Sequence, residues 1–326
     1  MKALLCKSFG PPSSLVLEDV AAVRPPGPGE IKLAVHAAGL NFADTLMIAG
    51  KYQEKPPLPF SPGMECAGEV VEVGAGITGL SRGDRVMAMT GFGGMAEEVI
   101  ASADRVFRIP ASMTFEQAAG FPVIYGTVYY ALVDRAGLAP GETLLVHGAA
   151  GGVGTIAVEV GKVLGATVIA TAGSDAKLEL ARKRGADHAV NYTTASVKDA
   201  VKELAPGGVD VAFDPVGGDV FDQTLRCIAQ EGRILVIGFA SGRIPAVPAN
   251  LLLVKNCAVI GVYWGGFTKR DPSRNRRNFE TMMRWMEEGR LRLPAVTTYP
   301  LEAAAAAMSA LLERSSSGKL VVVTRS

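Results

Sequence analysis

The sequence predicts an α/β protein with a compact β-rich domain and a second domain built on a doubly wound parallel sheet of six strands. Up to Tyr125, short apolar runs are separated by proline and glycine turns, a texture typical of small β domains. Beyond Tyr125, apolar strands alternate with amphipathic helices, which is typical of βαβ units. A glycine-rich turn, VHGAAGGVGTI at 146–156, joins the first strand of that series to its helix.

The bulk composition excludes several classes of protein. The chain has 326 residues, enough for two domains, and a net charge of +1, which gives no general attraction to nucleic acid or a membrane surface. Its cysteines, Cys6, Cys66, Cys227 and Cys257, form no CxxC pair and no disulfide pattern. No apolar stretch is typical of a signal peptide or a spanning helix, so we expect a cytoplasmic protein without membrane insertion.

The strands of the first domain are predicted from alternating or continuous apolar runs. These runs are IKLAVHAAG, CAGEVVEVGAG, DRVMAM and AEEVIAS, and turn clusters such as PPGPG and SRGD separate them.

Six strand candidates follow in the second domain: TLLVHG, TVIATAG, DHAVNY, VDVAFD, GRILVIGF and CAVIGV. Helical spacing appears between them in VGTIAVEVGKVLG, DAKLELARKRG, SVKDAVKEL and DVFDQTLRCIA. The nearly continuous apolar strands indicate a parallel sheet that is buried on both faces.

The C-terminal stretch predicts a helix in RNFETMMRWMEEG, a helix in LEAAAAAMSALLER and a strand in GKLVVVT. Because the six-stranded sheet is already complete, we expect this tail to return to the first domain. The predicted domains are therefore 1–124 with 265–326, and 125–264.

The glycine turn matches most of a dinucleotide-binding fingerprint, G-x-G-x-x-G. Gly151 and Gly154 supply the second and third glycines, whereas Ala149 replaces the first. Gly151 would let the backbone approach a pyrophosphate, and Gly154 would let the helix pack closely on the strand. We therefore expect N–H groups at the helix start to bind phosphate; the alternative is a purely structural turn.

The end of the second strand indicates which dinucleotide is bound. An NAD site places a carboxylate there, but this strand ends at Gly173 and Ser174. Asp175 lies just inside the next helix and is expected to cap it. Lys177 lies two residues further, and Tyr192 follows the third strand. A carboxylate-free end beside an ammonium suits a 2′-phosphate, so the sequence favours NADPH over NADH. In the alternative, Ser174 is only a helix cap and Lys177 a solvated lysine.

NFADTLMIAGKYQ, PLPFSPGMECAGEVVEVG, GDRVMAM, IYGTVYYAL and GETLLVHGAAGGVG together resemble the zinc-independent medium-chain dehydrogenases/reductases of the quinone oxidoreductase (zeta-crystallin) group. KYQEKPPLPFSPGME and VPANLLLVKN resemble in particular its branch of quinone oxidoreductase-like proteins. The resemblance implies a discontinuous GroES-like catalytic domain and a Rossmann NADPH-binding domain. It also implies a homodimer that pairs through the last Rossmann strand, 257–262.

The zinc ligands of related dehydrogenases are not matched. Met64 stands in Gly63-Met64-Glu65 where zinc-dependent relatives carry histidine, and a thioether is a poor zinc ligand. His36, His147 and His188 do not cluster in sequence, and His147 is expected to be a core histidine. We therefore expect no metal, and hydride transfer to an electrophilic acceptor such as a quinone or an α,β-unsaturated carbonyl.

The resemblance also implies roles for individual residues. Asn41, Tyr52 and Thr127 would form the catalytic site, with Tyr52 as proton or hydrogen-bond donor in the substrate cleft. Several relatives carry a second tyrosine at the position of Leu46, which makes this cleft more apolar. The implied cofactor contacts are Asn41, Thr127, Ala150, Gly151, Gly152, Val153, Gly173, Ser174, Lys177, Tyr192, Gly238, Phe239, Tyr263 and Trp264.

Structural alternatives stay open for two of the catalytic assignments: Asn41, with Asp44, as turn and cap residues, and Tyr52 as a packed aromatic. Three functions stay open, namely a quinone reductase, an enoyl or alkenal reductase, and a non-catalytic NADPH-binding protein of crystallin or RNA-binding type. The near-neutral charge disfavours RNA. The basic stretch 269–277 is consistent with a phosphorylated carrier or with a solvated helix start.

Overall fold

The computed structural model describes residues 1–313 and 316–325, and it divides into two compact units, 1–123 with 293–326 and 124–292. The N-terminal elements are β1 (Lys2–Leu5), β2 (Val16–Asp19), β3 (Glu30–Leu40), α1 (Phe42–Ile48), β4 (Glu65–Val73), β5 (Arg85–Met89), β6 (Glu98–Ser102), β7 (Val106–Arg108), α2 (Phe115–Ala119) and α3 (Pro122–Tyr129).

The central elements are β8 (Thr143–Val146), α4 (Gly152–Val163), β9 (Thr167–Ala172), α5 (Asp175–Lys183), β10 (His188–Asn191), α6 (Val197–Leu204), β11 (Val209–Asp214), α7 (Gly218–Cys227), β12 (Ile228–Val236), α8 (Ala249–Lys255), β13 (Ala258–Gly261), α9 (Trp264–Arg270) and α10 (Pro272–Glu287). The C-terminal elements are β14 (Val296–Pro300), α11 (Ala304–Leu312) and β15 (Lys319–Val323).

The first unit contains a largely antiparallel sheet in the order β14-β15-β3-β4-β5-β7, and β6 also pairs with β3. The C-terminal strand β15 runs antiparallel to β3, with Val321 opposite Gly39 and Leu320 opposite Leu40. The strand predicted from GKLVVVT therefore lies in the sheet of the first unit. Its core includes Leu33, Val35 and Val322, all fully buried.

The second unit contains six parallel strands in the order β10-β9-β8-β11-β12-β13. Strands β8 and β11 are buried along most of their length, as the continuous apolar runs predict. The predicted fold class, a β-rich domain with a doubly wound six-stranded sheet, is confirmed. The strand order reverses between β8 and β11, and ligands of such sheets bind at this reversal.

Residues 265–292 lie in the second unit, whereas the sequence analysis assigned 265–326 to the first domain. The reason is aromatic packing from α9 and α10: Phe267 stacks on Tyr130 with 4.2 Å between ring centroids. Arg274 of α10 also donates to Asp134 at 2.6 Å. The remaining tail, except residues 314, 315 and 326, which lie outside the described residues, is grouped with the first unit.

Within residues 1–313 and 316–325, none of the helices combines the length and the apolar character needed to cross a membrane.

Gly154 allows helix α4 to pack against the turn that precedes it. A Cβ atom added at Gly154 would lie 2.1 Å from the Gly148 carbonyl oxygen and 2.8 Å from the Ala149 Cα. Both are backbone atoms, so the helix itself would have to move. This matches the close packing predicted for the third glycine of the fingerprint.

We predict that Gly154→Ala destabilises the protein by about 1–3 kcal/mol because of this backbone overlap. Alanine is otherwise favoured over glycine in a helix by about 1 kcal/mol. A net loss of stability would therefore be attributable to the backbone overlap. Urea unfolding measures it. Gly207→Ala is the control, since that exposed glycine has no atom within 4 Å of the added Cβ. Equal stability of Gly154→Ala and the wild type would contradict the prediction.

Candidate functional site

The residues predicted to bind a dinucleotide lie mostly at one edge of the six-stranded sheet. Each follows the carboxyl end of a strand: Gly151 after β8, Gly173 after β9, Tyr192 after β10, Gly238 after β12 and Tyr263 after β13. Because the strands are parallel, these ends share one edge. The structure therefore gathers residues that the sequence spreads over more than half of the second unit.

The turn after β8 is built to present backbone N–H groups. Gly148 has a φ of 59°, a conformation that favours glycine, while the next residue, Ala149, is fully buried and donates its N–H to the Thr171 carbonyl at 3.0 Å. The positive-φ position of the turn is thus Gly148, which explains why alanine is tolerated at 149. Helix α4 begins at Gly152 with Gly151 as its N-cap.

The first N–H groups of α4, at Gly152 and Val153, have no acceptor within the helix itself. Gly151 is exposed and Gly152 and Val153 are half-buried, so an anion can approach them, whereas Ala150 is buried. The positive end of the helix dipole lies here as well. This end of the helix can bind the phosphate of a nucleotide.

The turn after β9 contains Ser174, whose hydroxyl accepts from the Lys177 N–H at 3.4 Å and caps α5. The expectation that Asp175 caps this helix is wrong: Asp175 is the first helical residue, and its carboxylate accepts from the Asn191 amide at 3.0 Å. Ser174 takes the cap because it holds the extended backbone that a cap requires.

Gly173 and Tyr192 are brought together at the same edge. A Cβ at Gly173 would lie 2.9 Å from the Tyr192 hydroxyl oxygen, so the phenol approaches the strand end closely. Lys177 is half-buried on the first turn of α5. Gly173 and Tyr192 thus form a small surface at the strand end, and Lys177 lies on the helix that begins directly after it.

Asp214, at the end of β11, is a buried residue of this edge that the sequence analysis did not single out. One of its carboxylate oxygens accepts from the N–H groups of Val216 at 2.7 Å and Gly217 at 2.9 Å. The Phe239 ring lies 3.2 Å from the Cβ position of Gly217. Asp214 therefore shapes the turn against which predicted contact Phe239 packs.

Thr127 and Trp264 lie in the same neighbourhood of the second unit. A Cβ at Gly126 would lie 2.3 Å from the Trp264 indole. Because glycine has no side chain, the indole can pack against Gly126, the residue that precedes Thr127 in the chain. Trp264 is buried, whereas Tyr263 is exposed and its ring lies 2.6 Å from the Cβ position of Gly266.

In the first unit, Asn41 joins a buried polar cluster with Glu65 and Lys319. The Lys319 ammonium donates to Glu65 Oε1 at 2.5 Å and to Asn41 Oδ1 at 2.6 Å. Asn41 Nδ2 donates to Glu65 Oε1 at 2.8 Å, and Glu65 Oε2 accepts from the Val123 N–H at 2.7 Å. The strand order places these residues together, since β15 and β4 flank β3 and Asn41 directly follows it.

Asp44 fixes the backbone around Asn41. Its carboxylate accepts from the N–H groups of Asn41 at 2.8 Å and of Gly63 and Met64 at 3.1 Å each. Complete burial raises the pKa of Asp44 to about 6, against the effect of these hydrogen bonds and of Lys319. The cap role considered for Asp44 is therefore present, and the carboxyl group also ties α1 to the 63–64 turn.

Tyr52 is half-buried and packs against the apolar core of the first unit. Burial, assisted by the charges of Glu54 and Asp44, raises its pKa to about 12. The phenol is therefore protonated at neutral pH and can donate a hydrogen bond or a proton.

His147 is a fully buried core histidine, as the sequence predicts. Its ring nitrogens lie 2.9 Å from the Thr171 hydroxyl and 2.7 Å from the Thr224 hydroxyl. Thr224 donates its own hydrogen to Val220, so it must accept from Nε2–H. Burial lowers the pKa of His147, which keeps the ring neutral.

Across residues 1–313 and 316–325, no group of three His, Cys, Asp or Glu side chains could hold a metal ion.

No motif in the sequence indicates a role for Glu65 or Lys319. One signal was present: Lys319 opens a strand of buried apolar residues, and a lysine there needs a partner. The partner could not be identified, because Glu65 is 254 residues away along the chain.

Comparison with known proteins identifies the family. The model of the alcohol dehydrogenase GroES-like domain matches residues 27–111, and that of the zinc-binding dehydrogenases matches residues 152–288. Quinone oxidoreductase-like protein 2 homolog from Nematostella vectensis is 44% identical over 99% of this chain and 89% of its own. The mouse protein quinone oxidoreductase-like protein 2 is 44% identical over 98% of this chain and 91% of its own.

The chain belongs to the quinone oxidoreductase group of the medium-chain dehydrogenases/reductases. The resemblance read from the motifs is thereby confirmed. Among solved structures of the group, Escherichia coli quinone oxidoreductase complexed with NADPH superposes with a TM-score of 0.91 at 30% identity. The match covers 99% of this chain and 100% of the other.

Proposed function

We propose that the protein is an NADPH-dependent oxidoreductase that reduces quinones. The observation that carries the proposal is the edge of the six-stranded sheet, where the Gly151–Val153 turn is followed by a strand end without a carboxylate, at Gly173 and Ser174. The NADPH complex of the E. coli quinone oxidoreductase, at 30% identity, supports the choice of cofactor.

The protein's part in the reaction is to bind NADPH, to orient its nicotinamide against the acceptor, and to protonate the reduced acceptor. NADPH, when bound, supplies a hydride. The N–H groups of Gly152 and Val153 would hold its pyrophosphate, and Ser174, Lys177 and Tyr192 its 2′-phosphate. Thr127, Gly238, Phe239, Tyr263 and Trp264 would flank the ribose and nicotinamide end, with Ala150 behind the pyrophosphate.

Tyr52 would contact the acceptor, and Asn41 would contact the nicotinamide. An oxyanion develops on the acceptor as hydride arrives, and the Tyr52 phenol, which is protonated at neutral pH, could donate a hydrogen bond to it. Proton delivery from Tyr52 or solvent would complete the reduction.

The acceptor is inferred from the chemistry available without a Lewis acid. Met64 offers a thioether where zinc-dependent relatives carry histidine, while Glu65 is bonded to Lys319 and Asp44 to three N–H groups. This donor set does not fit zinc, so we propose zinc-independent reduction of an already electrophilic acceptor. Leu46 favours apolar acceptors, which keeps an enone or alkenal, reduced at its C=C bond, as the second candidate.

We further propose that two copies pair through β13. This strand is one of the two edge strands of the six-stranded sheet, the other being β10. Beside β13 in sequence, α8 and the preceding loop expose Leu253 (78%), Val254 (74%) and Ile244 (71%), an apolar set that a partner copy would cover. Sedimentation velocity that finds a single copy at micromolar concentration would refute this pairing.

A cytoplasmic location stays a prediction from the sequence.

We predict that Lys177→Ala raises the KM for NADPH by about tenfold or more, because a phosphate–ammonium pair contributes about 1.5–3 kcal/mol. The KM for NADH should stay the same, since NADH lacks the 2′-phosphate. Lys183→Ala, at an exposed lysine in the last turn of the same helix, is the matched control. An unchanged KM for NADPH would remove Lys177 from the site, and equal turnover with NADH in the wild type would refute the cofactor preference.

A screen of NADPH oxidation against quinones, alkenals and enoyl-CoA esters tests the acceptor. Turnover should be fastest with quinones and should survive a chelator. Tyr52→Phe should lower kcat by about tenfold or more if the phenol donates. Tyr299→Phe, a partly buried tyrosine on the same core, is its control. No turnover with any acceptor would favour the non-catalytic NADPH-binding protein instead.

A further inference from the structure

Lys319 is a buried charge that the proposed function does not use. It is 3% exposed and opens β15, whose next residues, Leu320, Val321 and Val322, are buried. A lysine ammonium loses much solvation when it is buried, so it persists only with partners that replace water. Here the partners are Glu65 and Asn41.

These partners fix the orientation of the Asn41 amide. An ammonium can only donate hydrogen bonds and a carboxylate can only accept them. Lys319 therefore faces Oδ1 of Asn41 and Glu65 faces Nδ2, at 2.6 and 2.8 Å. The reversed amide would set N–H groups against the ammonium and oxygen against the carboxylate.

The two bonds leave Asn41 with spare capacity. They use one of the two amide hydrogens and one of the two lone pairs of Oδ1. Asn41 is largely buried, at 8% exposed, so its remaining N–H has a direction set by the cluster rather than by solvent. Lys319 also neutralises Glu65, which would otherwise place an unpaired negative charge beside the amide.

We propose that Lys319 is a positioning residue for the reaction: together with Glu65 it orients Asn41 so that the remaining N–H is offered to the nicotinamide end of the bound cofactor. This inference rests on the proposed function, which places Asn41 against the cofactor. It predicts that Lys319 affects the hydride-transfer step through Asn41, whereas cofactor affinity, which the phosphate contacts dominate, changes little.

The test must separate positioning from folding. Lys319→Met alone leaves Glu65 buried without its partner and would reduce stability. The double variant Glu65→Gln/Lys319→Met removes both charges and should recover much of that stability. Lys32→Met is the matched control, because Lys32 forms a half-buried pair with Glu98 at 2.9 Å in the same sheet. The measurements are thermal unfolding, the NADPH dissociation constant and kcat at saturating NADPH.

We expect kcat to fall about tenfold or more in Lys319→Met and to stay low in the folded double variant, while the NADPH dissociation constant changes less than about threefold. Lys32→Met should keep wild-type kcat. Asn41→Ala/Lys319→Met should be no slower than Asn41→Ala, because Lys319 acts through Asn41.

If the wild type binds and oxidises NADPH, two results would overturn this inference and leave the proposed function standing. One is a wild-type kcat in the folded Glu65→Gln/Lys319→Met variant. The other is a kcat of Asn41→Ala/Lys319→Met that falls by the product of the reductions in the two single variants. A wild type that binds no NADPH would overturn the proposed function, and the inference would fall with it. The NADPH titration of the wild type separates these cases.

Discussion

The architecture of the first unit depends on the buried ion pair between Glu65 and Lys319. It joins residues 254 positions apart, at the start of β4 and of β15, on either side of β3. Loss of either partner would leave the other charge without solvent or a counter-ion, at a cost of about 3–5 kcal/mol. The pair therefore holds the C-terminal strand in the sheet. It also fixes the side chain of Asn41, which is hydrogen-bonded to both Lys319 and Glu65.

In the second unit, the groups placed to bind phosphate are mainly backbone N–H groups at the carboxyl ends of the strands. Parallel strands bring their carboxyl ends to one edge, and helix α4 begins there with Gly152. Gly154 and Gly148 make this geometry possible, one by close packing and the other by its positive φ. Backbone N–H groups and a helix dipole then supply most of the attraction for an anion.

Most of the fold follows from local sequence patterns. The six parallel strands, the glycine turn and the C-terminal strand are predicted by periodicity and by glycine placement, because burial on both faces demands continuous apolar runs. The placement of 265–292 is not predictable in this way, since it depends on aromatic contacts such as Phe267 with Tyr130. The helix cap at Ser174 rather than Asp175 depends on backbone angles that the sequence does not specify.

The residues of the candidate site likewise fall into two groups, those that local sequence patterns predict and those that depend on tertiary contacts. Gly151, Gly173 and Tyr192 are recognisable because each follows a strand end, whereas Glu65 and Lys319 meet only through strand pairing. A crystal structure of the protein with NADPH tests the proposed cofactor site most directly. We predict pyrophosphate at the N–H groups of Gly152 and Val153 and the 2′-phosphate at Ser174 and Lys177. A cofactor whose 2′-phosphate points to solvent, away from both residues, would contradict it.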